Sequence, residues 1–311
     1  MGKLRGYSPR ALQTDATALG LTSTRVTRNA GTPVAESTVA RHPAQRTGVR
    51  ATVMLHGAAG TWTTWTPLLA EAAAAGRPIS EPVLFDLPGW GDAASSTRHQ
   101  ATNDSICALV VETLEQLGYT EWDLVGHSMG GFISLHIASL RPDAVRSLRL
   151  VSPTAHSVIA AVSHPFARPV RIPAFVGLML AMRLLAPLTG AVSGLVRFLG
   201  STGALRVFVI PLFRHTFRVD HSEIAAIGDQ LRPRVFVAAT EAAREYDADG
   251  RWAGISCPVF AARGDRDAFT SDFDLERLGG LLPQLRSTVI PDCGHFGNVE
   301  RPAETLAALG L

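Results

Sequence analysis

The chain has 311 residues, 46% of them hydrophobic and 18% charged, which is enough apolar surface for one large α/β domain with an insertion. A net charge of +2, with no basic run carrying interleaved aromatics, argues against a nucleic-acid partner. Lys3 is the only lysine, which disfavours Schiff-base chemistry and a P-loop. The three cysteines form no CxxC pair, so no disulfide framework is implied and a reducing, cytoplasmic setting is expected.

Residues 1–20 read as a loose lead-in. They hold Lys3, Arg5 and Arg10 but no apolar run, so no secretory signal is expected, and Gly6 argues against myristoylation at Gly2. Weak alternation over 22–27 and 34–40, bracketing Asn29-Ala30-Gly31, predicts a β-hairpin. Residues 51–55 predict a buried strand that ends in His56-Gly57-Ala58-Ala59-Gly60. A helix is expected over 62–75, with Trp65, Leu68, Leu69 and Ala72 on one face and Gly76 as its stop. A strand over 82–86 runs into Asp86-Leu87-Pro88-Gly89-Trp90-Gly91-Asp92, and a helix over 106–117 stops at Gly118. Leu124 and Val125 lead into Gly126-His127-Ser128-Met129-Gly130, followed by an amphipathic helix carrying Phe132, Ile133, Leu135, Ile137 and Leu140. That is G-x-S-x-G between a strand and a helix. Its glycines let a serine sit on a tight turn at a helix N-terminus, which favours developing negative charge.

A strand over 145–151 follows, and then the alternation breaks. Residues 154–249 are helix-like, rich in proline and without a clear strand. Strand signals resume at 258–262 and 287–290, with helices at 274–282 and 302–309. Strands alternating with helices of ten or more residues predict a parallel sheet with helices on both faces. The expected organisation is a lead-in (1–20), a core (21–153 and 250–311) and a helical cap or lid (154–249).

A serine hydroxyl needs a base, and the base needs an orienting carboxylate. In strand–turn–helix enzymes of this type both lie downstream, acid before histidine. Gly264-Asp265-Arg266-Asp267 ends one late strand and Asp292-Cys293-Gly294-His295 ends the next, at the edge where such sheets bind ligands. No histidine other than His295 lies beyond His221.

Five motifs in order, HGAAG (56–60), DLPGWGD (86–92), GHSMGG (126–131), GDRD (264–267) and GH (294–295), resemble those of the α/β-hydrolase superfamily over roughly residues 20–311 outside the insertion. The resemblance implies a mostly parallel eight-stranded sheet with a helical cap inserted after strand 6. It also implies a cofactor-free triad of Ser128, Asp267 and His295, with the acid at the last position of G-x-x-D; Asp265 then reads as a turn residue. Family members with the acid after strand 6 have no counterpart here, because Val151-Ser152-Pro153-Thr154 holds no carboxylate. The oxyanion donors implied are the N–H groups of Met129 and Ala58, with Ala59 as the alternative to Ala58. The implied reaction is cleavage of an ester, lactone or thioester of an apolar small molecule. Carbon–carbon hydrolysis, acyl transfer and perhydrolysis by the same residues remain open, as does a non-catalytic binding module.

Gly89-Trp90-Gly91-Asp92-Ala93-Ala94 fits a dinucleotide fingerprint, but Pro88 and the polar run after it offer no helix. His56, Asp86, His127, His136 and Cys293 read as structural. The remaining histidines have no ligand spacing, so no metal is expected. Between Thr154 and Arg218 there are seven arginines and no acid; a solvated basic face is preferred to an anionic substrate site. Residues 172–182 and 184–196 are uncharged and apolar. Each falls short of about 18 residues, with Arg183 between them and Pro173 and Pro187 interrupting, so no membrane span is expected. Three roles stay open for this stretch: a lid over the site, a patch for lipid contact or a homodimer, or plain cap core. Phe175, Leu178, Met179, Met182, Leu185 and Phe198 are the candidate lid residues.

Overall fold

The computed structural model describes residues 7, 9–28, 35–94, 102–165 and 171–311. Eight strands form one sheet: β1 (Leu21–Arg28), β2 (Glu36–Pro43), β3 (Arg50–Leu55), β4 (Pro82–Asp86), β5 (Glu121–His127), β6 (Val145–Val151), β7 (Val259–Gly264) and β8 (Leu285–Ile290). Their spatial order is β1-β2-β4-β3-β5-β6-β7-β8. Only the β1–β2 and β2–β4 pairs are antiparallel. The hairpin forms where expected, though its turn at Asn29-Ala30-Gly31 lies outside the described residues.

The alternation along the central strands sets two cores. Val53, Leu55, Phe85 and Leu124 point to one face, Met54, Leu84 and Val125 to the other. The first face is covered by α2 (Asn103–Gln116), α3 (Met129–Leu140), α9 (Ala248–Trp252) and α10 (Asp272–Leu281). The second is covered by α1 (Thr66–Ala74) and α12 (Pro302–Leu309). Each helix starts where a cap is available. Thr102 accepts a bond from Ser105 N at 3.1 Å, so α2 begins three residues before the sequence signal. Ser271 and Asp274 form a capping box that starts α10 at Asp272. The helix expected from 62 opens instead as a 3₁₀ turn, Trp62–Trp65, before α1, whose second residue is a proline without an N–H to donate backwards.

From β3 the chain crosses to β4 on one side and returns to β5 on the other. Strand order therefore reverses at the β3–β5 pair, and the crevice beyond their carboxyl ends is the natural ligand site. The loops opening there are His56–Gly60 from β3 and Ser128 from β5.

Between β6 and β7 the chain runs through α4 (His156–Ser163), α5 (Pro173–Leu185), α6 (Thr189–Ser201), α7 (His221–Gln230) and α8 (Pro233–Glu241) before reaching α9. No strand forms there among the described residues, as the sequence predicts. One expectation fails. The two short apolar runs are joined by a 3₁₀ turn, Ala186–Leu188, into 29 helical residues from Pro173 to Ser201. Arg183 does not interrupt them because its guanidinium pairs with Glu241 on α8. Pro187 sits in the first positions of the turn, where a missing N–H costs little.

Candidate active site

Ser128 sits at φ 51°, ψ −116°, a conformation costly for a residue with a Cβ, of order 1–3 kcal/mol. The surroundings enforce it. A Cβ on Gly126 would lie 2.4 Å from the Gly130 carbonyl oxygen, and one on Gly130 would lie 2.0 Å from that of Leu55. Ser128 N donates to Val151 O at 3.0 Å, and Ser128 O accepts from Thr154 N at 3.0 Å, which pins the turn to β6. Ser128 is half-buried and heads α3. Met129, first residue of that helix, carries one of the N–H groups that a helix leaves without an intrahelical partner.

His295 is buried at 5% exposure and donates from Nδ1 to Asp267 Oδ1 at 2.9 Å. The same oxygen accepts the N–H groups of Phe269 at 2.8 Å and Thr270 at 3.0 Å. Burial pushes the Asp267 carboxyl up, but the His295 charge and these hydrogen bonds outweigh it and hold the group below the usual carboxylate range. Asp265 faces elsewhere and accepts from Cys293 N at 3.1 Å. With Nδ1–H committed to the carboxylate, Nε2 of a neutral His295 is left as the basic nitrogen.

Neighbouring histidines are fixed as neutral supports. His127 donates from Nε2 to the His295 carbonyl at 3.1 Å, and burial together with the nearby His295 charge drives its pKa well below the usual imidazole range. His56 bonds Gly57 O through Nδ1 at 2.7 Å and accepts Leu87 N at Nε2 at 3.0 Å; burial lowers its pKa as well. Asp86 pairs with Arg41 at 2.6 Å and accepts Trp62 N, so it shapes the β4 loop. His136 is tied to Tyr246 and Asp104. Cys293 is fully buried, and burial raises its thiol far out of the reactive range. After Gly89-Trp90 comes a 3₁₀ turn, Gly91–Ala93, which ends in an extended Ala94.

A carboxylate that braces the His295 loop is not legible in the sequence. Glu300 accepts Gly294 N at 2.7 Å and Arg214 N at 3.1 Å on Oε2, and His215 N at 3.1 Å and the Tyr7 hydroxyl at 3.2 Å on Oε1. His295 N in turn donates to Leu212 O at 2.8 Å. The loop carrying His295 is thereby sewn to the insertion. The only sequence signal was an acid six residues after a glycine, which is too common to read.

A cavity of about 630 Å³ lies between the elbow and the insertion. Ala58, Ala59, Ser128, Met129 and His295 line its floor. Of the candidate lid residues, Phe175, Leu178, Met182 and Leu185 line its roof. Met179 does not; it is fully buried against Val158, Phe236 and Phe269. Phe198 points outward at 62% exposure. Helical spacing places both on candidate faces, and the packing of α5 and α6 on α8 and α7 decides which way they turn. No Asp, Glu, Lys or Arg lines the cavity among the described residues, so the arginines of the insertion do not form its wall.

The Alpha/beta hydrolase family profile matches residues 52–309. A pimeloyl-[acyl-carrier protein] methyl ester esterase of Neisseria meningitidis is 29% identical over 75% of this chain and 82% of its own length. The dihydrolipoyllysine-residue acetyltransferase component of an acetoin cleaving system from Pseudomonas putida is 35% identical over 32% of the chain, but the match spans only 26% of that relative. Among solved structures, an esterase from Thermogutta terrifontis superposes with a TM-score of 0.65 at 24% identity, covering 91% of this chain and 96% of that one. With the profile running from the β3 strand to the end of α12, the chain belongs to the alpha/beta hydrolase family.

Proposed function

We propose that the protein is a cofactor-free serine esterase for neutral, apolar acyl substrates, with Ser128 as nucleophile, His295 as general base and Asp267 as its orienting acid. The observation that carries this reading is the 2.9 Å bond from His295 Nδ1 to the buried Asp267 side chain, with His295 and Ser128 both lining one cavity. His295 Nε2 takes the Ser128 proton as Oγ attacks the acyl carbonyl. Met129 N–H and Ala58 N–H, the latter with Ala59 as its alternative, receive the developing oxyanion. The protonated imidazole then hands its proton to the leaving alcohol, and water returns by the reverse route to release the acid. The esterase relative matching three quarters of the chain supports ester chemistry, and the charge-free cavity supports an apolar acyl group. In this reading the insertion is the lid that shapes the acyl site.

A fluorophosphonate probe tests it. The wild type gains one adduct, located on Ser128 by peptide mapping, and hydrolyses p-nitrophenyl butyrate; Ser128→Ala does neither. A folded wild type whose intact mass stays unchanged under the probe is a binding module on this scaffold, and the proposal falls.

A further inference from the structure

On an ordinary amphipathic helix the solvent face is polar. The α5–α6 segment reverses this. Its solvent-facing positions step by three and four residues through Ala181, Leu184, Leu188, Ala191, Leu195 and Phe198, all exposed and none polar. Leu184 is 79% exposed, Leu188 61% and Phe198 62%. A second exposed apolar group, Phe208 at 71% and Phe217 at 69%, follows in the next connection. Leu195 and Phe208 also line the cavity, so the outer apolar surface and the inner one meet at a common rim.

The segment's own charge is basic, although Arg183, Arg197 and Arg214 are paired with Glu241, Asp229 and Asp292 from elsewhere in the chain. From Thr154 to Arg218 there are seven arginines and no acid, in a chain whose net charge is only +2, so the rest of the molecule is net acidic. Arg171 and Arg218 are exposed and lie on the rings of Phe273 and Tyr7, contacts that leave their charge uncancelled.

We propose that the α5–α6 segment lies in the surface of an anionic phospholipid membrane, with its apolar stripe in the headgroup–acyl boundary and the flanking arginines on lipid phosphates. A second copy docked through the same face is the poorer occupant, because it would add its own uncancelled Arg171 and Arg218 to those already there. A transmembrane placement is poorer still. The 29 residues are long enough, and a stretch of 18 within them reaches a mean hydropathy of 1.8. Yet crossing would strip Arg183 from Glu241, separate the closely packed Gly200 and Gly228, and remove the cavity roof. Resting on the esterase reading above, the inference also names the substrate class: an ester with a long hydrocarbon chain, drawn from the membrane past Leu195 and Phe208 into the charge-free cavity.

The test is flotation of the full chain with vesicles at low salt, using phosphatidylcholine mixed with phosphatidylglycerol and phosphatidylcholine alone. The comparison is the Leu184→Asp/Leu188→Asp variant, neither position lining the cavity. The wild type should float with the anionic vesicles and much less with the neutral ones, and the variant should lose about tenfold or more in affinity per leucine. Both should turn over soluble p-nitrophenyl butyrate equally, while only the wild type cleaves a long-chain ester embedded in the vesicles. The proposal is overturned if the wild type does not float, if the variant floats equally well, if the wild type is a dimer that the variant breaks without any lipid binding, or if alkaline carbonate fails to extract it. Should neither protein cleave the soluble ester while flotation still depends on the stripe, the esterase reading fails and the docking surface stands.

Discussion

Two buried carboxylates, one at the sheet's edge and one in the insertion, set the two regions of the molecule apart. Asp267 receives three hydrogen bonds on Oδ1 and faces an imidazole, and its pKa is held down, although its buried Oδ2 has no partner among the described residues. Glu223 on α7 is 2% exposed, has a buried Oε2 without a partner among the described residues, and lies near Asp220; burial first, and that neighbour second, push its pKa up to about 8. At the sheet's edge three donors converge on one carboxylate oxygen and keep the group charged. The insertion is organised by apolar area, inward to the cavity and outward to solvent, and tolerates a carboxyl group that burial keeps neutral.

The largest effect expected from breaking this contrast is at Asp267. Asp267→Asn removes the acceptor that holds Nδ1–H, and ester turnover should fall by about 10⁴-fold. Because the folded carboxyl titrates below its unfolded value near 3.9, its stabilisation is present above that value and lost as pH falls through the folded one. The variant should therefore be less stable than wild type at pH 7, and the gap should close below about pH 4 in paired thermal melts. Asp265→Asn is the control. A larger rate loss there than at Asp267 would reassign the acid.

The contrast also explains what could be read in the sequence. Residues 51–55 and the strands around them announce themselves because neighbours on both faces demand alternating apolar side chains. The elbow is legible because its glycines answer to backbone contacts a Cβ would violate. In the insertion the determinants are tertiary. Met179 and Met182 are three residues apart, and only packing against Phe236 and Phe269 turns one into the cap core and the other toward the cavity. Arg183 looks like a break in an apolar run until Glu241, far along the chain, is seen to pair with it. Glu300 was invisible for the same reason, since its partners come from residues 7, 214, 215 and 294.

Glu223 supplies the second test. A carboxyl whose pKa is raised from about 4.5 unfolded to about 8 folded binds its proton more tightly in the native state, so stability falls as pH rises across that window. Glu223→Gln keeps the shape and removes the ionisation. It should be more stable than wild type by a few kcal/mol at pH 8.5 and equal to it near pH 4, with ester turnover unchanged. Equal stability at both pH values would mean that water or a partner already solvates the group.

The smallest effect, and the sharpest for the insertion, concerns its inward face. Leu178 lies on α5 and lines the cavity, whereas Leu184, on the same helix, faces solvent and does not. Leu178→Trp takes up space that a long acyl chain would fill. Each methylene excluded from apolar contact forfeits about 0.8 kcal/mol, so losing two or three of them lowers kcat/KM by roughly ten- to fiftyfold for a long-chain ester. An acetyl ester is too short to reach that wall and should be hydrolysed at the wild-type rate. A series of p-nitrophenyl esters of increasing chain length measures this, with Leu184→Trp as the control that shifts no chain-length preference. A loss spread evenly over all chain lengths would instead place Leu178 among the residues that hold the elbow, and the acyl chain would have to run along a different wall of the cavity.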